Sequence, residues 1–144
     1  MKKLGKRSIL RIQIMKILFI ADIDEISVNE ALEHAKAGVL DNDEINENKE
    51  ISEEAIKILN FINDNLNKID DIISNTLVNY TIERLNTVDK AIIRLATAEM
   101  MMAEIDKKII IDEALEITKL YSDTGDHKAV SFNNRLLDNI SKKI

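Results

Sequence analysis

The sequence predicts an all-α protein. Proline is absent and glycine occurs three times in 144 residues, so few positions interrupt a helix, and an all-β chain would need many more turn residues. Apolar residues recur at three- and four-residue spacing through most of the chain, and no convincing strand emerges. Aromatic residues make up only 3% and tryptophan is absent, so the core must be aliphatic. This length fits a single domain, residues 1–144, able to bury a sizeable core.

About seven helices follow in order. Residues 4–23 carry a stripe of Leu10, Ile14, Ile17 and Ala21, flanked by Ile9, Ile12 and Phe19. Ser27 to Glu30 has capping-box form and opens a short helix, which Gly38 is placed to end. Residues 40–50 make an acidic connector. Asp41 and Asp43 imitate the start of a calcium loop, but Ile45 occupies the next ligand position and Ser52 stands where a bidentate Glu is required. Ser52 instead caps a third helix, with Glu53 and Glu54 in its first turn and Ile56, Leu59, Ile62 and Leu66 inward. A fourth helix carries Ile69, Ile72, Ile73 and Leu77. Thr87 is placed to cap a fifth, containing Ile92, Leu95, Ala96, Glu99 and Met102. A charged break at 106–108 precedes a sixth over 110–121, and a loop containing Gly125 precedes a seventh near 130–143, with Leu136, Leu137 and Ile140 inward.

Several function classes are excluded or disfavoured. Without cysteine there is no disulfide framework, thiolate zinc site or cysteine nucleophile. Arg11 and Lys16 interrupt the apolar residues near the N-terminus, which is unlike a signal peptide, and no run approaches a membrane span. A cytoplasmic protein is expected, with no membrane partner. There is no phosphate-binding loop and no dinucleotide fingerprint. His34 and His127 lie far apart, and the Glu30–His34 pair is ordinary for a helix surface. No nucleophile–base signature and no Glu-x-x-His motif is present, so neither an enzyme nor a cofactor or metal site is expected.

Charge is distributed unevenly. The net charge is −6, yet the first sixteen residues carry Lys2, Lys3, Lys6, Arg7, Arg11 and Lys16 and no acid. From Asp22 to Glu54, twelve carboxylates face only Lys36 and Lys49. Lys3, Arg7 and Arg11 are spaced i, i+4, i+8 and share one side of a helix. Such a trio is compatible with a solvated face. Its setting in an acidic chain also makes it a candidate surface for an anionic partner, nucleic acid first.

Residues 80–99, YTIERLNTVDKAIIRLATAE, place Glu83, Arg84 and Asp89 around a tight helix-to-helix connection, with Ile92, Ile93 and Leu95 packing inward. This segment resembles the signature of the NusB transcription antitermination family, roughly (E/D)RL…V(D/E)(K/R)A(I/V)LRLA…E. Downstream, Ile111-Asp112-Glu113-Ala114, Ile117 and Lys119-Leu120-Tyr121 resemble the family's INEA…LAK-(F/Y) helix. Phe132, Asn134, Leu137 and Asp138 resemble its FVNG(V/I)LD helix, and Arg11, Met15, Leu18 and Phe19 its RE…ALY helix. Residues 24–68 are similar only in helical character. The chain departs from the pattern at Lys107 and Lys108, where a proline is usual. Arg135 replaces the Gly of FVNG, and the basic start is lysine-rich, which keeps phosphate attraction but loses bidentate recognition.

The resemblance implies a non-catalytic domain of two packed helical bundles. It would pair with the ribosomal small-subunit protein NusE, bind single-stranded boxA-like RNA in ribosomal RNA leaders, and act with the RNA polymerase elongation complex. Lys2, Lys3, Lys6, Arg7 and Arg11 would contact phosphates, giving sequence-independent, salt-sensitive affinity. Lys128 and Asn134 are further RNA candidates, although Asn at a helix start is also a common cap. Phe132 and Tyr121 are candidate stacking rings or core residues. Phe19, Glu83 and Asp89 match the family's contacts to NusE, an aromatic anchor beside two carboxylates. The competing reading is a helical protein–protein scaffold that never touches RNA.

Overall fold

Four of the described α-helices begin at a side chain that accepts from their first free backbone N–H groups. The computed structural model describes residues 5–38 and 50–144. The elements are α1 (Lys6–Ile23), α2 (Val28–Lys36), α3 (Glu53–Thr76), a short 3₁₀ turn (Ile82–Arg84), α4 (Thr87–Met102), α5 (Lys107–Tyr121) and α6 (Lys128–Ser141). Ser27 accepts from the Glu30 N–H at 3.0 Å and Ser52 from the Ala55 N–H at 3.1 Å. Asn86 accepts from Val88 and Asp106 from Lys108. A cap of this kind is worth about 1 kcal/mol, because it satisfies an N–H that has no partner inside the helix.

Three expectations about the elements change. The anticipated third and fourth helices are one, α3, interrupted at Asn65 (φ −125°, ψ 17°). Its side-chain amide donates to the Phe61 carbonyl at 2.9 Å, and a polar group inserted into the backbone ladder kinks a helix. Thr87 does not cap α4; Asn86 does, one residue earlier. Asp106, expected only as part of a charged break, is the cap of α5. Lys2, Lys3, most of the acidic connector and the calcium-loop positions Asp41, Asp43 and Ile45 lie outside the described residues.

The helices form two groups of three. Helices α1, α2 and α3 touch one another, as do α4, α5 and α6, and the groups dock where α4 packs on α1 and α3. Helix α4 is therefore central. It is buried almost all round, with Ala91, Ile92, Ile93, Leu95, Ala96, Ala98 and Met100 in the core. Ile14, Ile17, Leu59, Ile62, Ile69 and Ile73 of the first group and Ile110, Ile117, Leu137 and Ile140 of the second join the same core. Each such side chain contributes roughly 1.5–3 kcal/mol by leaving water.

Ion pairs fix the helix directions. Arg11 pairs with Glu99, and Asp22 with Lys90, so α1 and α4 run antiparallel. Ser8 meets Glu113, and Lys16 lies over the Tyr121 ring, so α1 and α5 run parallel. The last turns of α1 and α5 thus share one end of the molecule with the start of α4. Asn133 of α6 bonds to Asp89 of α4, bringing the start of α6 to the same end.

Candidate nucleic-acid interface

The basic start of α1 is smaller than its sequence. Lys6 and Arg7 are exposed, and Arg7 Nη1 lies 3.0 Å from Glu54 Oε1 in the first turn of α3. Arg11 is not at the surface. Its side chain is 2% exposed, and its guanidinium grips Glu99, itself 5% exposed, through Nε–Oε2 at 2.9 Å and Nη2–Oε1 at 3.0 Å. Glu113 lies 3.6 Å from its remaining nitrogen. The expectation that Arg11 contacts phosphate is thereby corrected: a buried fork already bound to a carboxylate cannot reach an external anion. Lys16 sits about 15 Å further along α1 than Lys6 and covers the Tyr121 ring at 5.3 Å. Tyr121 is packed against the core, so its ring is not an open stacking face.

The opposite end of the second group is richer than its charge suggests. The 3₁₀ turn and α6 bring Tyr80 and Phe132 together, ring centroids 5.7 Å apart and planes tilted by 55°. Tyr80 is 37% exposed and Phe132 40%. The Tyr80 hydroxyl donates to the Arg84 carbonyl at 2.9 Å, and the Arg84 guanidinium lies over the Tyr80 ring at 5.4 Å. Lys128 and Asn134 are both exposed on α6. Asn133 points the other way. It is fully buried and donates 3.1 Å bonds to Asp89 Oδ1 and Thr118 Oγ1. The turn before α6 is organised by Asp123, whose carboxylate accepts from the Gly125 and His127 N–H groups. The Gly125 bond is the main reason its pKa falls below the ordinary 3.8, with burial opposing and His127 assisting.

The three partner-surface candidates separate in character. Phe19 is half-buried against the core near the end of α1, and Ile23, one turn on, is exposed. Glu83 is exposed on the 3₁₀ turn. Asp89 is not a free carboxylate: its Oδ1 accepts from Ser122 Oγ at 2.6 Å and from Asn133, tying α4 to the α5–α6 connection. The sequence reading missed Ile23, Tyr80 and Asn133. Exposed apolar character is invisible in a helical stripe, and Tyr80 lies outside any regular pattern. Among the described residues no group of three or more His, Asp or Glu side chains is arranged to hold a metal. No helix among them is long and apolar enough to cross a membrane.

Two docked three-helix groups with aromatic, basic and carboxylate side chains gathered at one end define an all-helical domain. The NusB family model matches residues 8–142, and the chain belongs to that family. A transcription antitermination protein NusB from Clostridium botulinum (strain Alaska E43 / Type E3) is 55% identical over 53 residues, a stretch covering 36% of this chain and 38% of that relative. The fold resembles T. maritima NusB at TM-score 0.78 and 32% identity, over 96% of this chain and 92% of that one. It also resembles a chain from a crystal structure of antitermination factors NusB and NusE in complex with dsRNA, at TM-score 0.77 and 24% identity, over 96% and 97% of the two chains.

Proposed function

We propose that this protein is a non-catalytic RNA-binding subunit of a transcription antitermination complex. It acts with the ribosomal small-subunit protein NusE on single-stranded boxA-like RNA in ribosomal RNA transcription, and through that complex with RNA polymerase. Membership of the NusB family over residues 8–142 is the observation that carries this reading. The exposed Tyr80–Phe132 pair with Arg84 beside it supports RNA contact, because unstacked bases bind aromatic and guanidinium faces. Lys6 and Arg7, with Lys2 and Lys3 preceding them in sequence, supply phosphate attraction; Lys128 and Asn134 extend it to α6. Phe19, Ile23 and Glu83 form the surface for NusE, with Asp89 shaping it from beneath.

The test is a fluorescence anisotropy titration of labelled boxA-like RNA, with NusE present and absent. Tight binding only with NusE present, and weaker binding of a scrambled RNA and of the annealed duplex, is expected. Equal binding of boxA-like and scrambled RNA would sink the reading.

One observation favours the scaffold alternative: burial of Arg11 and pairing of Arg7 leave a thin basic surface on α1. Hydrogen exchange over residues 5–12 separates the two. New protection on adding RNA supports RNA binding; unchanged exchange there and over residues 128–136 supports the scaffold.

A further inference from the structure

Arg135 stands where the family pattern has glycine, and its surroundings give it a use. A cleft of about 310 Å³ opens between the end of α3 and α6, lined by Thr76, Leu77 and Val78 on one side and by Phe132, Arg135 and Leu136 on the other. This volume lies at the lower end of small-ligand sites. Arg135 is the only charged residue among the described residues lining it, in a chain of net charge −6. Among the described residues no hydrogen bond or ion pair holds its guanidinium, unlike Arg7, Arg11 and Arg94, each of which is paired with a carboxylate. Phe132 belongs both to this cleft and to the tilted pair with Tyr80, and it stays 40% exposed.

The wall opposite α6 is set by backbone. Asn79 adopts a left-handed conformation (φ 55°), which Asn tolerates better than most residues, and the chain bends there at Val78 and Asn79. Val78 is left strongly exposed at the mouth of the cleft. A slot of mixed lining, Leu77, Val78, Phe132 and Leu136 beside the polar Thr76, Ser131 and Asn139, with a free guanidinium, matches the parts of one nucleotide: a base that needs cover from water and polar partners, and a phosphate that needs a cation.

We propose that this cleft receives one unstacked base of a single-stranded RNA, with Phe132 as the stacking face and Arg135 on the adjoining phosphate. The inference deepens the function proposed above and rests on it. Arg135 then compensates for the lysine-rich start of α1 by placing a planar, bidentate cation on α6.

The test uses the full chain with NusE bound and a short fluorescein-labelled boxA-like single strand, alongside versions with each base in turn replaced by an abasic site. One abasic position should weaken wild-type binding about tenfold or more. That penalty should vanish in Phe132→Ala and in Phe132→Leu, the second of which keeps apolar bulk and guards against a packing defect. Arg135→Gly should lower the slope of log affinity against log salt by about 0.7, one phosphate contact on a single strand. An abasic penalty that persists in both Phe132 variants, or an unchanged slope in Arg135→Gly, overturns the proposal. So does binding of the annealed duplex as tight as that of the single strand. Cleft variants that alter binding of a poly-glutamate peptide but not of the RNA assign the cleft to an acidic protein partner and overturn it too. If Lys6→Glu weakens RNA binding while the cleft variants bind like wild type, the cleft inference fails and the antitermination reading stands. No RNA binding with NusE present defeats both.

Discussion

The start of α1 and the junction of the 3₁₀ turn with α6 answer the same demand in opposite ways. The first is dense in positive charge along the sequence, but the fold draws Arg11 into the interior and pairs Arg7 with Glu54. The second carries little charge in sequence, yet it exposes two aromatic rings and the Arg84 and Arg135 guanidiniums, which no carboxylate pairs with among the described residues. Charge count along a chain measures neither availability nor geometry. A cation already bonded to a carboxylate has little left for an external phosphate, whereas an unpaired one beside an apolar face offers both attraction and shape.

Arg11→Leu should have the largest effect. If Arg11 is structural, the variant leaves Glu99 buried without its partner and costs about 3–5 kcal/mol. That corresponds to a fall in melting temperature of roughly 10 °C or more. Arg11→Met with Glu99→Met should recover most of the loss, because the buried charge leaves with its partner. A thermal melt of the single and double variants checks this. A single variant as stable as wild type would return Arg11 to the surface set.

Asn133→Ala comes next. It removes both bonds donated by the buried amide, leaving Asp89 only its Ser122 bond and Thr118 only the one it donates to Ala114, at a cost of about 1–3 kcal/mol by urea denaturation. Asn134→Ala, one residue away and exposed, should change stability by less than about 0.5 kcal/mol. Equal effects would contradict the inward and outward assignments of the two asparagines.

Arg7→Glu sharpens the other side. Its pair with Glu54 is exposed, so stability should move by less than about 1 kcal/mol. In RNA titrations with NusE the salt slope should fall by about 0.7 or more if Arg7 releases Glu54 to meet a phosphate. An unchanged slope would leave Lys6 and the residues before it to supply the attraction from α1.

The smallest effect concerns Asp123. Its pKa is lower in the folded protein than in the unfolded chain, so the native carboxylate holds its proton less tightly. Its stabilising contribution is complete above about pH 4 and is lost as pH falls through the lower folded value. Asp123→Asn should therefore flatten the acid limb of stability against pH below 4, measured by circular dichroism. A limb identical to wild type would remove Asp123 as its source.

Much of the fold was legible in the chain. Ser27 and Ser52 cap where the capping patterns place them, and the stripes of α1, α3 and α6 face the core as their spacing implies. The expected boundary between the third and fourth helices is instead a kink at Asn65, because a polar run looks the same whether it ends a helix or only kinks it. Of the candidate site residues, Lys6, Arg7, Lys128, Glu83 and Asn134 are exposed. Arg11 and Asp89 were misjudged for one reason: a charged residue at helical spacing gives no sign of whether water or a buried partner faces it.

The linear sequence already carried which segments are helical, the caps that open α2 and α3, the aliphatic nature of the core and the resemblance to the NusB family. Those properties depend on neighbours a few residues apart. The tertiary structure decided which charges remain available. Arg11 and Glu99 are 88 residues apart in the chain, and only the antiparallel docking of α1 on α4 brings them together. The same docking order placed Phe132 against Tyr80 and opened the cleft beside Arg135, a juxtaposition that no local pattern encodes.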